Sequence, residues 1–502
     1  MKRYFFSTLF LAAITCLTFL TGCDKDDPTF PAVVKPNIVF YGLTNSNQLV
    51  KYNANASETP LSTISISGLS MTEKIIAIDF RPATGQLYGL GQSSRLYIIN
   101  YQTGAATALG TGPFSPAISG SLAGFDFNPT VDRIRLVTSS GQNLRLNPET
   151  GTVAAVDASI NPSTAIVGGV AYTNSIAGSS TTVLYDIDIA NNKLYKQDPP
   201  NNGTLVEVGS LSISDPKNGL DGGFDISPDN SIALACFNDN LYQLDLTTGK
   251  ATKLGSLTVS LSGIAIPTNP VAYAVDNANN LQIFNLSSPG TPVNKAITGL
   301  QAGENILGID MRPATGQLYA LGSTSRLYAI NLSSGAATAV SAAPFVTLLV
   351  GSSFGFDFNP TVDRIRVISN TGQNLRLNPN DGTVAATDLP LNPGVPAVSA
   401  AAYINNFPGA TTTTLFDIDP ATDKLYMQNP PNNGTLVEVG ALGIDISSDN
   451  GFDIGGTSNK AYALVTVGGT TKIYTINLTT GAATEAATFP NAARGFAVGL
   501  GF

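Results

Sequence analysis

The stretch GFDFNPTVDRIR, Gly124 to Arg135, recurs letter for letter at Gly355 to Arg366. GQNLRLNP follows it at Gly141 to Pro148 and again at Gly372 to Pro379, the same 231 residues further on. That offset also carries RPATGQLY from Arg81 to Arg312 and NNGTLVEVG from Asn201 to Asn432, so one half of the chain copies the other. A repeat this long is a domain duplication, and self-similarity within each copy decides the fold.

Working outward from Gly124, each copy divides into units of roughly 35 to 50 residues. One unit reads Ile75 to Phe80, the turn RPATG, Gln86 to Gly91, Arg95 to Asn100, the turn YQTG and Ala105 to Gly110. Four short runs joined by tight turns predict an antiparallel meander. Both alternating faces of Leu96-Tyr97-Ile98-Ile99 and of Leu241-Tyr242-Gln243-Leu244 are largely apolar, whereas a strand with one wet face alternates cleanly. A four-stranded meander covered on both faces is a blade of a β-propeller.

Each copy holds five units, and the first unit of each, Asn37 to Leu69 and Pro270 to Leu300, lacks its first strand. Ser262 to Ile266 and Arg494 to Val498 can supply those strands from the far end of the same copy, closing a ring and removing its open edge. The expected fold is therefore all-β, two tandem five-bladed β-propellers over 37–267 and 268–502. A single ten-bladed propeller is the alternative, in which Ser262 to Ile266 starts the next blade.

Lys2-Arg3, an apolar run from Tyr4 to Phe19, and Leu20-Thr21-Gly22-Cys23 open the chain. A basic region followed by an apolar one of this length predicts a secretory signal over 1–22. Leu-Thr-Gly-Cys resembles the bacterial lipobox, which implies lipidation of Cys23, a tether over 23–36 and an outer-membrane lipoprotein; Lys25-Asp26-Asp27 resembles a surface-export signal. Cys16 leaves with the signal, so Cys236 remains alone and no disulfide forms within the mature chain. Cys236 lies in an apolar strand-like run and reads as a buried, inert thiol.

The motif set G-[FI]-D-[FM]-[RN]-P, RPATGQLY, DFNPTVDRIR, GQNLRLNP and PPNNGTLVEVG resembles an uncharacterised bacterial β-propeller-like family, domain of unknown function 4394, across both halves. The resemblance implies the fold and a secreted context. It implies no activity.

First strands carry an acid in a shared frame: Asp79, Asp126 and Asp225, then Asp310, Asp357 and Asp453. Innermost in a propeller, these carboxylates either gather a cation such as Ca²⁺ in the channel or fix the blades through hydrogen bonds. Arg81, Arg133, Arg135, Arg312, Arg364 and Arg366, with Arg145 and Arg376, are the expected partners of these acids. Asp186, Asp188, Asp417, Asp419 and Asp423 cluster on strand ends without an EF-hand's glycine and glutamate. Pro199 to Gly203 and Pro430 to Gly434 read as hairpin turns.

The chain has no His, which excludes Ser-His-Asp and Cys-His catalysis, and no Trp, which weakens sugar stacking. A net charge of −9 without a basic run disfavours nucleic acid. No cofactor is expected beyond Ca²⁺. The reading is a lipid-anchored envelope protein, a non-catalytic binding or scaffold double propeller whose partner is an envelope protein or glycan. The alternative is a carboxylate-dependent polysaccharide hydrolase or lyase.

Overall fold

The computed structural model describes residues 33–213, 222–447 and 451–502. Cys23 and the leader lie outside these residues. Among the described residues, no helix is long and apolar enough to cross a membrane.

The chain from Lys35 to Phe502 forms ten four-stranded antiparallel sheets. In the first ring, blade two comprises Ile75–Phe80, Leu87–Gly91, Arg95–Ile99 and Ala106–Ala108; blade three, Ala123–Asn128, Arg133–Thr138, Asn143–Leu146 and Val153–Val156. Blade four starts at Val167–Tyr172 and blade five at Gly222–Ile226. Blade one takes Gly263–Ala265 as its inner strand, with Tyr41 opposite Ala265 and Leu43 opposite Gly263. The five inner strands touch in cyclic order, and the last returns to the first.

The second ring repeats the plan. Its inner strands are Ile306–Arg312, Phe354–Asn359, Ala400–Tyr403, Gly451–Ile454 and the closing Arg494–Val498, where Tyr273 pairs with Ala497. The protein is thus two tandem five-bladed propellers, and the ten-bladed alternative fails because each ring closes on itself.

Burial falls from the axis outward, as the sequence pattern demands. Every residue of Leu87–Gly91 is buried, whereas Val153–Val156 alternates half-buried with exposed. The core therefore lies between blades: Tyr88, Leu90 and Leu96 of blade two pack on Phe125, Phe127 and Ile134 of blade three. Inner strands converge so tightly that a Cβ on Gly124 would sit 2.9 Å from the amide nitrogen of Val170, and one on Gly223 only 2.3 Å from that of Ile264.

The PPNNG segments differ from plain hairpin turns. Pro200–Asn202 is a short 3-10 turn ended by Gly203 in the left-handed region, φ 63°. Its tightness leaves the Asn201 side chain facing the neighbouring blade, where it meets Arg135.

Candidate acidic sites on the propeller axes

Asp79, Asp126 and Asp225 come together in the first ring, and Asp310, Asp357 and Asp453 in the second, each set offering oxygens within 4.8 Å of one another. All six are buried. Inner strands leave one backbone edge unpaired toward the axis, and that edge explains the arrangement. Phe80 N donates to Asp79 Oδ1 at 2.7 Å and Phe127 N to Asp79 Oδ2 at 2.8 Å. Tyr172 N donates to Asp126 Oδ1 at 3.1 Å, while Ile226 N and Ile266 N donate to the two oxygens of Asp225 at 2.6 and 2.5 Å. One amide from each of the five blades is thereby satisfied.

The five equivalent inner-strand positions read Asp79, Asp126, Ala171, Asp225 and Ala265 in the first ring, and Asp310, Asp357, Ala402, Asp453 and Ala497 in the second. An Asp serves its own blade, the next, or both, and the blades of Ala171 and Ala265, like that of Asp126, have their amide served by the carboxylate of the preceding Asp. Met311, Phe358, Tyr403, Ile454 and Val498 supply the amides of the second ring. Six oxygens thus meet five amides. The sixth, Asp357 Oδ2, is buried without a hydrogen-bond partner.

With no cation beside them, burial and mutual repulsion favour the protonated acids. Burial pushes Asp225 and Asp453 up to about 7, against the pull of their amide hydrogen bonds. Asp79, Asp126, Asp310 and Asp357 are also raised well above the carboxylate range, first by burial and then by the neighbouring carboxylates.

The expected arginine partners are not there. Arg81 forks onto Asp132 through Nε at 2.9 Å and Nη2 at 2.5 Å, reaching Glu149 at 3.4 Å. Arg135 donates to Asp157 and Asn143, both at 2.7 Å, to Asn201 at 2.8 Å and to the Tyr172 hydroxyl at 3.3 Å. Arg312 pairs with Asp363, and Arg366 pairs with Asp388. Arg133 and Arg364 donate to the carbonyls of Asp132 and Asp363, both at 2.8 Å. Although Arg135 stands directly opposite Asp126 in the sheet, its long side chain carries the guanidinium outward, away from an axis where amides already serve the acids.

Arg145 completes a bidentate grip on Asp157, and Arg376 one on Asp388. Asn143, Asn201, Asn374 and Asn432 are thus members of these buried clamps that charge counting on the sequence missed; their presence inside strictly repeated strings was the available signal. Asp188 accepts from Ile166, Ala190 and Asn191 amides and shapes a turn. Asp186 and Asp417 are different: both are fully buried, and neither oxygen of either has a hydrogen-bond partner. Burial lifts Asp186 to about 8, opposed by Arg135, and Asp417 well above the usual range, opposed by Arg366. Cys236 is buried in Ala233–Phe237, and its Sγ accepts from Gly223 N.

A single family model matches the chain twice, over residues 48–265 and 280–497, under the description Domain of unknown function (DUF4394). The chain belongs to the DUF4394 family. In DUF4394 terms, each match spans most of one ring, and the closing strand of each falls inside or at the end of its match. A search of curated proteins returned no match. Among solved structures, the chain aligns with PorZ, an essential surface component of the type-IX secretion system of Porphyromonas gingivalis, at 14% identity and a TM-score of 0.26, covering 92% of this chain and 59% of that one. It aligns with the extracellular domain of BT4673 from B. thetaiotaomicron at 12% identity and a TM-score of 0.25, covering 90% and 59%.

Proposed function

We propose that the protein is a lipid-anchored component of the cell envelope that binds or scaffolds a partner and performs no chemistry of its own. The observation that carries this reading is how the acids are used. At each axis the amides of five blades engage the carboxylates, and the conspicuous arginines are spent on other acids. Glycoside cleavage needs two carboxylates about 5–9.5 Å apart across a space that admits a sugar. Here one oxygen of each acid lies within 4.8 Å of an oxygen of the others, and all three acids of each ring are buried, with no sugar-sized space between them.

The lipobox-like Leu20-Thr21-Gly22-Cys23 supports the anchor, and the acidic composition supports an envelope protein or glycan as partner over nucleic acid. Cys23→Ser is expected to abolish incorporation of labelled fatty acid and to release the protein from the membrane fraction. Retention of label in that variant would remove the anchor from the proposal. Release of reducing ends from envelope polysaccharide, lost in a folded Asp126→Asn or Asp357→Asn variant, would replace binding by catalysis.

A further inference from the structure

We infer that each propeller axis holds one divalent cation, Ca²⁺ by size, on Asp79, Asp126 and Asp225 in the first ring and on Asp310, Asp357 and Asp453 in the second. Ionised carboxylates only accept hydrogen bonds, so every oxygen left after the amides are served needs a positive partner or a donor. Asp357 Oδ2 is such an oxygen.

A second group, outside the triad, points to the same place. In blade four of the second ring, Asp417 stands opposite Ala401. Gly355 packs on that Ala401, with a Cβ at Gly355 falling 2.8 Å from the Ala401 Cβ, and Asp357, two residues on, shares the face of Gly355. Asp417 and Asp357 therefore face each other across the seam between blades three and four. Asp417 is 0% exposed with both oxygens unpartnered. The first ring repeats the juxtaposition: Asp186 stands opposite Val170, against which Gly124 packs, and both Asp186 oxygens are again unpartnered.

The nearest guanidinium does not fill the need. Arg366 gives its hydrogens to Asp388, Asn374, Asn432 and the Tyr403 hydroxyl, as Arg135 does to the equivalent set. Size favours calcium. An ion about 2.3–2.6 Å from each ligand holds oxygens up to about 5 Å apart, whereas Mg²⁺ at about 2.0–2.1 Å requires them closer; the oxygens of each triad lie within 4.8 Å. A throat lined by Ala77, Gly124 and Gly223 in one ring, and by Gly308, Gly355 and Gly451 in the other, leaves space for about one water-sized particle. Waters entering there complete the shell, and Asp186 and Asp417, which lie outside the mutually close oxygens, hold such waters rather than the ion.

The test is equilibrium dialysis and thermal unfolding of the full-length protein, stripped with EDTA and returned to CaCl₂ at about 5 mM, above the millimolar range of weak extracellular sites. Two ions per chain are expected, one for each triad, with a rise in Tm of about 2–9 °C. Asp126→Asn is expected to remove one ion and the Asp126→Asn, Asp357→Asn double variant both. Asn keeps an oxygen for the Tyr172 and Tyr403 amides, so circular dichroism should stay native. Absence of bound Ca²⁺, or undiminished binding in a folded double variant, overturns the inference and assigns the spare oxygen a proton. Should the double variant not fold, terbium on the native protein decides: tyrosine-sensitised emission displaced by Ca²⁺ at two sites supports it, and no emission sinks it. These outcomes are independent of lipidation and of any envelope partner.

Discussion

Arg81 and Arg312 occupy the same letter of the same repeated string, yet they live in different surroundings. The Arg81 side chain is 0% exposed, its partner Asp132 9%, and it also donates to Glu149 and to Gly316 O of the second ring at 3.2 Å. The Arg312 pair with Asp363 is 13% and 33% exposed, and Asn380 stands where the first ring has Glu149. Removing one member of a buried pair strands the other charge, at a cost of about 3–5 kcal/mol. Arg81→Ala should lose stability on that scale and Arg312→Ala only about 1 kcal/mol, as read by urea unfolding. Equal losses would mean that burial does not set the difference. The axial acids make a second prediction. Asp225 and Asp453 are raised to about 7 in the folded chain and fall back to about 3.9 on unfolding. Between those values the folded state holds protons that the unfolded state has lost, so stability falls as pH rises. In EDTA, Tm should drop by several degrees between about pH 4 and pH 7. Asp225→Asn, which cannot ionise, should flatten part of that slope; an unchanged slope would place the titration elsewhere.

At the scale of the strand, the geometry of the inner edge distinguishes glycines that look alike in sequence. A Cβ on Gly223 meets the Ile264 backbone nitrogen at 2.3 Å, whereas one on Gly263, the neighbour in the closing strand, meets nothing closer than 3.7 Å. Backbone cannot yield as a side chain does. Gly223→Ala should therefore destabilise by about 2–3 kcal/mol, and Gly263→Ala should be neutral or stabilise by up to about 1 kcal/mol through reduced freedom of the unfolded chain. Chemical unfolding of the two single variants checks this, and a tolerant Gly223→Ala would show that the inner strands can spread.

At the scale of the molecule, the last strand has two jobs. Arg494–Val498 completes the first blade of the second ring, and just beyond it Gly501 N donates to Thr84 O of the first ring at 2.8 Å, while Tyr101 donates to Gly501 O at 2.7 Å. Tyr273 adds a bond to Ala83 O at 2.8 Å, so the RPATG turn of the first ring is built into the seam between rings. Deleting 494–502 should open the second ring, expose the unpaired edge of Val271–Val275 and leave the first ring folded. Limited proteolysis should then yield a stable fragment spanning the first ring. Retention of both rings would mean that closure is dispensable.

The repeat, the five units per copy and the two displaced closing strands were all legible in the letters, because period and alternation report local pairing and both-face burial. The axial frame was visible too, since Asp79, Asp126 and Asp225 stand at one position of three of the first strands. Letters did not show that two Ala complete this frame, that five amides engage these acids and leave one oxygen over in the second ring, or that Arg135 turns outward to Asp157 and Asn201. Those outcomes depend on which backbone edge is left unpaired when five blades converge, a property of the closed ring. The same holds between copies: RPATG is identical in both, yet Arg81, which reaches Gly316 O of the second ring, is fully buried, while Arg312 stays 13% exposed. Sequence alone determined the strands and their order, because these follow from contacts near in the chain; tertiary structure decided the role of each charge, because that follows from neighbours brought in from far along it.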